Sequence, residues 1–312
     1  MRRRDLLQFA AVALAAGLAG CAAPRPETTE SPSRAVTTPA GTVSPMNLPE
    51  TTAPPSEDGA TPASTSSPTN PPETTAVPSP GTTPQFRSSD GLVSRYRFDE
   101  APTSTRPTGI VIYLHGDGHG EFEPGSTVLD DYAAVARDNG MSMLAPLTPD
   151  QRTHTWWQDE SSGHWLRELI DHVKATHDID DSRVWLAGYS GGAEVITNVL
   201  LPDHSDLFTG GGAVLVGGGS LDSEVVFTAQ PSPQLKQDFV MTWVVGELDT
   251  PGRGGADGDF DALAETQAAE QAYQTLGMTH TAVEVLPGET HVTSADDGAP
   301  ALRRLLEVTG RR

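Results

Sequence analysis

The chain has a single cysteine among its 312 residues, Cys21, so no disulfide can form within it. Basic residues are scarce too: 20 lysines and arginines stand against 42 aspartates and glutamates, for a net charge of −22. That balance excludes the positive footprint of a nucleic-acid binder and leaves no basic face for an anionic membrane surface. Long apolar runs are missing. The nearest candidate, about Leu6 to Ala19, is too short to span a bilayer as a permanent anchor.

What the amino terminus has instead is a targeting pattern. Arg2, Arg3 and Arg4 precede the apolar run, and Arg3-Arg4-Asp5-Leu6-Leu7 resembles a twin-arginine export signal, although no serine or threonine stands before the pair. Leu18-Ala19-Gly20-Cys21 resembles a bacterial lipobox, whose cysteine becomes the lipidated first residue of the mature protein. Residues 1–20 are therefore expected to be a lipoprotein signal peptide, with the protein exported and held to the cell membrane by lipid on Cys21. An uncleaved anchor or a general secretory signal is the competing reading. Residues 21–86 are dominated by Pro, Thr, Ser and Ala and lack apolar periodicity. They are expected to form a disordered tether, because they cannot bury enough surface to offset their ordering entropy. Residues 87–312 form one domain, long enough to bury a core without disulfides and expected to be a monomer.

Within that domain strand and helix patterns alternate. Val93–Phe98 predicts an edge strand, and Gly109–Leu114, Met141–Ala145, Val184–Ala187, Gly212–Val216, Phe239–Val245 and Ala282–Leu286 predict further strands. Helices are predicted over Val128–Asn139, along the stripe Trp165, Leu166, Leu169, Ile170 and Val173, and over Asp261–Leu276 and Ala299–Val308. Repeated strand–helix units with apolar strands imply an α/β fold with a mostly parallel sheet covered on both faces. Little length separates the strands, so no large lid is expected.

The stretch Ser182–Leu201 organises the rest. Its apolar strand runs into Gly188-Tyr189-Ser190-Gly191-Gly192, and helical spacing follows. A serine on so tight a strand-to-helix turn has its Oγ lifted clear of the sheet, while the Gly191 N–H points to the same spot at a helix N-terminus. The alternative is a glycine-rich corner with an inert serine. A serine hydroxyl needs a base within reach, and the base needs a carboxylate to orient it. In open α/β sheets such groups gather beyond the carboxyl ends of strands. Phe239–Val245 leads into Glu247 and Asp249, and Ala282–Leu286 leads into His291. His291 is preferred over His172, His177 and His280, and Asp249 over Glu247, Asp257 and Asp259. The second oxyanion donor is placed on the backbone N–H of Asp117, in His115-Gly116-Asp117-Gly118, with the Asp117 side chain incidental and His115 structural. Trp156 and Trp157 either contact the substrate or pack over the sheet edge, and Tyr189 beside the serine is a further candidate for the pocket.

Leu114-His-Gly-Asp-Gly118, the Trp156-Trp157 pair, Asp178–Gly192, Gly246-Glu-Leu-Asp249 and Thr290-His-Val292 together resemble the α/β-hydrolase superfamily. Within it they are most similar to serine esterases of the polyhydroxybutyrate-depolymerase and feruloyl-esterase type. The resemblance implies carboxylic ester hydrolysis by Ser190, His291 and Asp249 without a cofactor. The sequence departs from secreted members in lacking their common paired cysteines and shows no recognisable polymer-binding domain, so a polymeric substrate is not expected. Rival readings are a metal hydrolase using His115, Asp117 and His119, an acyltransferase with the same triad, and a non-catalytic binding lipoprotein.

Overall fold

The structure, a computed structural model, describes residues 83–102, 107–157, 161–256 and 258–310. The signal segment, Cys21, nearly all of the tether and Asp257 lie outside the described residues.

The apolar runs become strands buried from both sides. In β3 (Thr108–Leu114) and β4 (Met141–Pro146) every residue is buried. With β1 (Gln85–Arg87), β2 (Val93–Asp99), β5 (Ile179–Tyr189), β6 (Gly211–Val216), β7 (Val240–Gly246) and β8 (His280–Leu286) they form one eight-stranded sheet. The spatial order is β1-β2-β4-β3-β5-β6-β7-β8. From β4 to β8 the neighbours are parallel, whereas β2 is antiparallel to β4 and β1 to β2. Two expectations change here. Val93–Phe98 is not the edge, because β1 pairs outside it, and β1 starts at Gln85, two residues inside the segment read as tether. Phe86 accounts for both. Its ring packs 6.0 Å from that of Trp165 and 5.4 Å from that of His172, which fixes the chain against a helix.

Period-two alternation sorts the core into two layers. Ile110, Ile112, Leu114, Leu186, Leu215 and Trp243 face α2 (Ser161–His177) and α6 (Ala262–Thr275). Val111, Tyr113, Met143, Trp185, Val214 and Val244 face α1 (Val128–Asp138) and α7 (Gly298–Thr309). The buried indoles are satisfied as well as packed. Trp243 donates to the Gly219 carbonyl at 2.8 Å and Trp156 to the His115 carbonyl at 3.0 Å, where an unpaired N–H would cost about 1–3 kcal/mol.

After β5 the chain enters α3 (Gly191–Val195), widens through a π turn (Ile196–Leu200) and continues into α4 (Leu201–His204). Between β6 and β7 the one regular helix is the short α5 (Pro233–Asp238), so no separate cap is built there. The carboxyl ends of β3, β5, β6, β7 and β8 consequently open onto loops at one end of the sheet. At the other end lies a cavity of about 320 Å³ lined by Met141, Arg183, Trp185, Gly211, Asp238 and Thr309, among others.

Candidate active site

Ser190 stands between β5 and α3 at φ 50° and ψ −120°. A non-glycine residue there costs about 1–3 kcal/mol and persists only when its surroundings over-determine it. The Ser190 N–H donates to the Val216 carbonyl at 2.8 Å, and its carbonyl accepts from the N–H groups of Ala193 and Glu194 at 2.9 and 3.1 Å. The flanking glycines are required by contact. A Cβ on Gly188 would lie 2.6 Å from the Gly192 carbonyl, and one on Gly192 would lie 2.0 Å from the Leu114 carbonyl oxygen. The serine is thus pinned on a crossing of three backbones.

The loop after β8 brings His291 to it. The His291 N–H donates to the Gly254 carbonyl at 2.8 Å, and its ring is flanked by Tyr189 at 5.2 Å and edge-on by Phe260 at 6.3 Å. Nε2 lies 3.1 Å from Ser190 Oγ and Nδ1 lies 2.9 Å from Asp249 Oδ2. Nδ1–H therefore donates to the carboxylate, which leaves Nε2 to accept from the hydroxyl. Asp249 follows β7, is fully buried, and has its N–H bonded to the Gly246 carbonyl at 3.1 Å. The competing acids stand elsewhere. Glu247 accepts from the Gly288 N–H at 3.0 Å, and Asp259 is exposed. His280 opens β8 at the far end of the sheet, and His172 and His177 stack on Phe86 and Phe98 along α2.

Solved structures are similar to this chain in fold. A thermostable esterase matches at a TM-score of 0.53 and 15% identity over 74% of this chain, which spans 62% of that protein's length. The carboxylesterase of Bacillus cereus matches at 0.50 and 15% over 69% of this chain and 94% of its own. A protein of unknown function from Agrobacterium tumefaciens matches at 0.51 and 15% over 72% of this chain and 95% of its own. The chain has the α/β-hydrolase fold. No protein-family model and no curated protein matches the sequence.

In an α/β-hydrolase fold the loop after β3 faces the serine, and here it is tied down amide by amide. Gly116 N–H donates to Glu121 Oε1 at 2.7 Å, Gly118 N–H to the His154 carbonyl at 3.1 Å, and His119 N–H to the Gly116 carbonyl at 3.1 Å. The N–H groups of Asp117 and Gly191 take part in none of these loop and cap bonds. Both are therefore free to act as donors. His115 is buried, donates from Nδ1 to the Gly116 carbonyl at 2.7 Å and accepts at Nε2 from the Thr148 N–H at 3.1 Å. Burial pushes its pKa down to about 3, so the ring is a neutral brace. With both His115 nitrogens engaged and Asp117 bonded to Trp157, the side chains of His115, Asp117 and His119 do not converge on a common point. No group of three metal-ligating side chains occurs among the described residues.

The two tryptophans separate. Trp156 is 1% exposed, with its ring 4.9 Å from His115, and is a core residue beneath the loop. The expectation that it lines a pocket is not met, because its indole N–H is spent on the His115 carbonyl. Trp157 turns the other way and donates from Nε1 to Asp117 Oδ2 at 3.0 Å. The Tyr189 hydroxyl donates to the His291 carbonyl at 3.2 Å, so this residue supports the base as well as flanking it.

Sequence reasoning overlooked Glu194. This half-buried carboxylate accepts from the N–H groups of Gly219 and Ser220 at 2.8 and 3.1 Å, from Ser220 Oγ at 2.6 Å and from Asn198 Nδ2 at 3.0 Å. It locks the loop after β6 onto the helix that carries the serine. The available signal was one acid inside the apolar run Ala193–Ile196, which a charge tolerates only when fully paired.

Proposed function

We propose that the protein is a serine esterase that hydrolyses carboxylic esters through an acyl-enzyme. One observation carries this reading: Ser190 Oγ, His291 and Asp249 form a continuous hydrogen-bonded chain on a turn held in a strained backbone conformation. Nε2 of His291 takes the hydroxyl proton as Oγ attacks the ester carbonyl, and the buried Asp249 carboxylate stabilises the imidazolium. The tetrahedral oxyanion is met by the N–H groups of Gly191 and Asp117. Collapse breaks the bond to the alcohol oxygen, which leaves with the proton from His291. Water then adds to the acyl-serine by the same route in reverse roles, releasing the acid and restoring Ser190. Trp157 and Tyr189 line the approach, and without a cap the ester enters from solvent. Similarity to esterases in fold supports the reaction class, and the triad supplies its chemistry.

The deciding experiment is labelling with a fluorescent organophosphonate, combined with turnover of short acyl esters. Covalent labelling that maps to Ser190 and disappears in Ser190→Ala is expected. A folded wild-type protein that neither labels nor turns over any ester is a binding protein instead. We further place the enzyme outside the cytoplasmic membrane, anchored by lipid on Cys21. Cys21→Ala should then move it from the membrane fraction to the soluble fraction with its turnover intact.

A further inference from the structure

The loop after β3 puts a carboxyl group where ester hydrolysis has least use for negative charge. A Cβ on Gly191 would lie 2.2 Å from Asp117 Oδ1 and 2.9 Å from its Cγ, so this side chain rests directly on the residue that carries the first oxyanion donor. Its two oxygens differ. Oδ2 accepts from the Trp157 indole at 3.0 Å, whereas Oδ1 is buried and has no partner.

The groups facing it are Glu121 from the same loop, Glu194 from α3 and His291 from the loop after β8. Two of these are acids, and only His291 can become a cation. An ionised Asp117 would set a full charge beside the oxygen that becomes negative in the tetrahedral intermediate, and like charges at such range oppose each other. A neutral Asp117 has one O–H to offer. Because Oδ2 already accepts from the indole, that hydrogen belongs on Oδ1, the oxygen against Gly191. Burial pushes the pKa of this carboxyl up to about 6, and Glu194 and Glu121 push the same way.

We propose that the Asp117 side chain, as the neutral acid, is a third oxyanion donor through Oδ1–H, with Trp157 fixing which oxygen carries the proton. The inference rests on the esterase reading above. No proton is transferred: the hydrogen bond strengthens as the carbonyl oxygen gains charge and relaxes when the intermediate collapses. The working enzyme then needs Asp117 protonated and His291 neutral together. Its activity falls on the alkaline side as Asp117 ionises, where a triad with backbone donors alone would reach a plateau.

The test is a set of kcat/KM–pH profiles on a neutral short-chain ester for wild type, Asp117→Asn and Asp117→Ala. Asparagine keeps the shape, accepts from the indole through its oxygen and turns an unionisable N–H₂ toward Gly191. At pH 8 about one wild-type molecule in a hundred would hold the Asp117 proton. The alkaline limb should therefore vanish in Asp117→Asn, which should exceed wild type about tenfold or more at that pH. Asp117→Ala should lack the limb as well, and at pH 5 it should fall at least about tenfold below wild type for want of the donor. An alkaline limb that persists in both variants overturns the inference while leaving the esterase reading intact. A loss in Asp117→Asn confined to cationic esters overturns it in favour of an ionised carboxylate that recognises charge. Wild-type protein that is neither labelled by phosphonate nor active on esters removes both readings.

Discussion

The two ends of the sheet use space in opposite ways. At the amino ends of the strands lies a cavity of about 320 Å³ that contains none of Ser190, Asp249 and His291. At the carboxyl ends, by contrast, backbone strain and acidic side chains concentrate. Among the described residues four non-glycine positions have positive φ; His119, His154 and Ser190 stand on these loops, and Asp178 precedes β5. Asp249 is fully buried on the same loops, Asp117 has its Oδ1 buried there, and Glu194 stands beside them on α3. The lesson is that concavity and chemistry are separable. A gap at strand beginnings is left where helix ends fail to meet, whereas a reactive constellation needs converging strand ends and a helix N-terminus.

This contrast breaks if substitutions at the first end matter to turnover or those at the second do not. The largest effect belongs to Ser190→Ala and His291→Ala. Each should lower kcat by on the order of 10⁴–10⁶, and the double variant should fall little further, because the residues act as a unit; steady-state kinetics on purified folded protein checks it. Asp249→Asn should cost about 10³–10⁴ in kcat, whereas Glu247→Gln should stay within about twofold. A crippled Glu247→Gln would move the acid two residues back along the loop.

Stability sharpens the contrast. Glu194→Ala removes the acceptor of four donors and should lower unfolding free energy by about 1–3 kcal/mol in urea titrations. Asp117 adds a pH-dependent part with a definite sign. The folded carboxyl holds its proton to about 6, against an ordinary 3.8, so the stability it contributes is complete below pH 4 and is lost as pH rises to 6. Asp117→Asn should flatten that window by about 2 kcal/mol, visible as unfolding midpoints compared at pH 4 and 7. The smallest effect is expected in the cavity, where Gln234→Ala and Thr309→Ala should leave kcat/KM within about twofold; a larger change would assign that hollow a part in catalysis.

Most strands were legible because apolar runs of parallel-sheet type are hard to hide, and Ser190, Asp249 and His291 followed from where those runs end. What was illegible depended on contacts between distant segments. Gln85–Arg87 has no periodicity, and it becomes a strand because Phe86 finds Trp165 and His172. The π turn at Ile196–Leu200 changes hydrogen-bond register without altering residue types. Trp156 and Trp157 were indistinguishable neighbours in a polar loop, and only the buried His115 carbonyl decides which one turns inward. Asp117 was read as an incidental side chain, since its importance comes from an indole 40 positions away.

The backbone at Ser190 has a consequence for how this position can change over time. Its φ of 50° and ψ of −120° suit a residue without a Cβ far better than any other. Folding and catalysis therefore select in opposite directions at one codon. Glycine would relieve about 1 kcal/mol or more of strain and abolish the nucleophile. A lineage released from its reaction would thus have a stabilising path away from serine, one substitution long. A hydroxyl kept at so uncomfortable a backbone position is what a nucleophile requires and what folding alone does not favour.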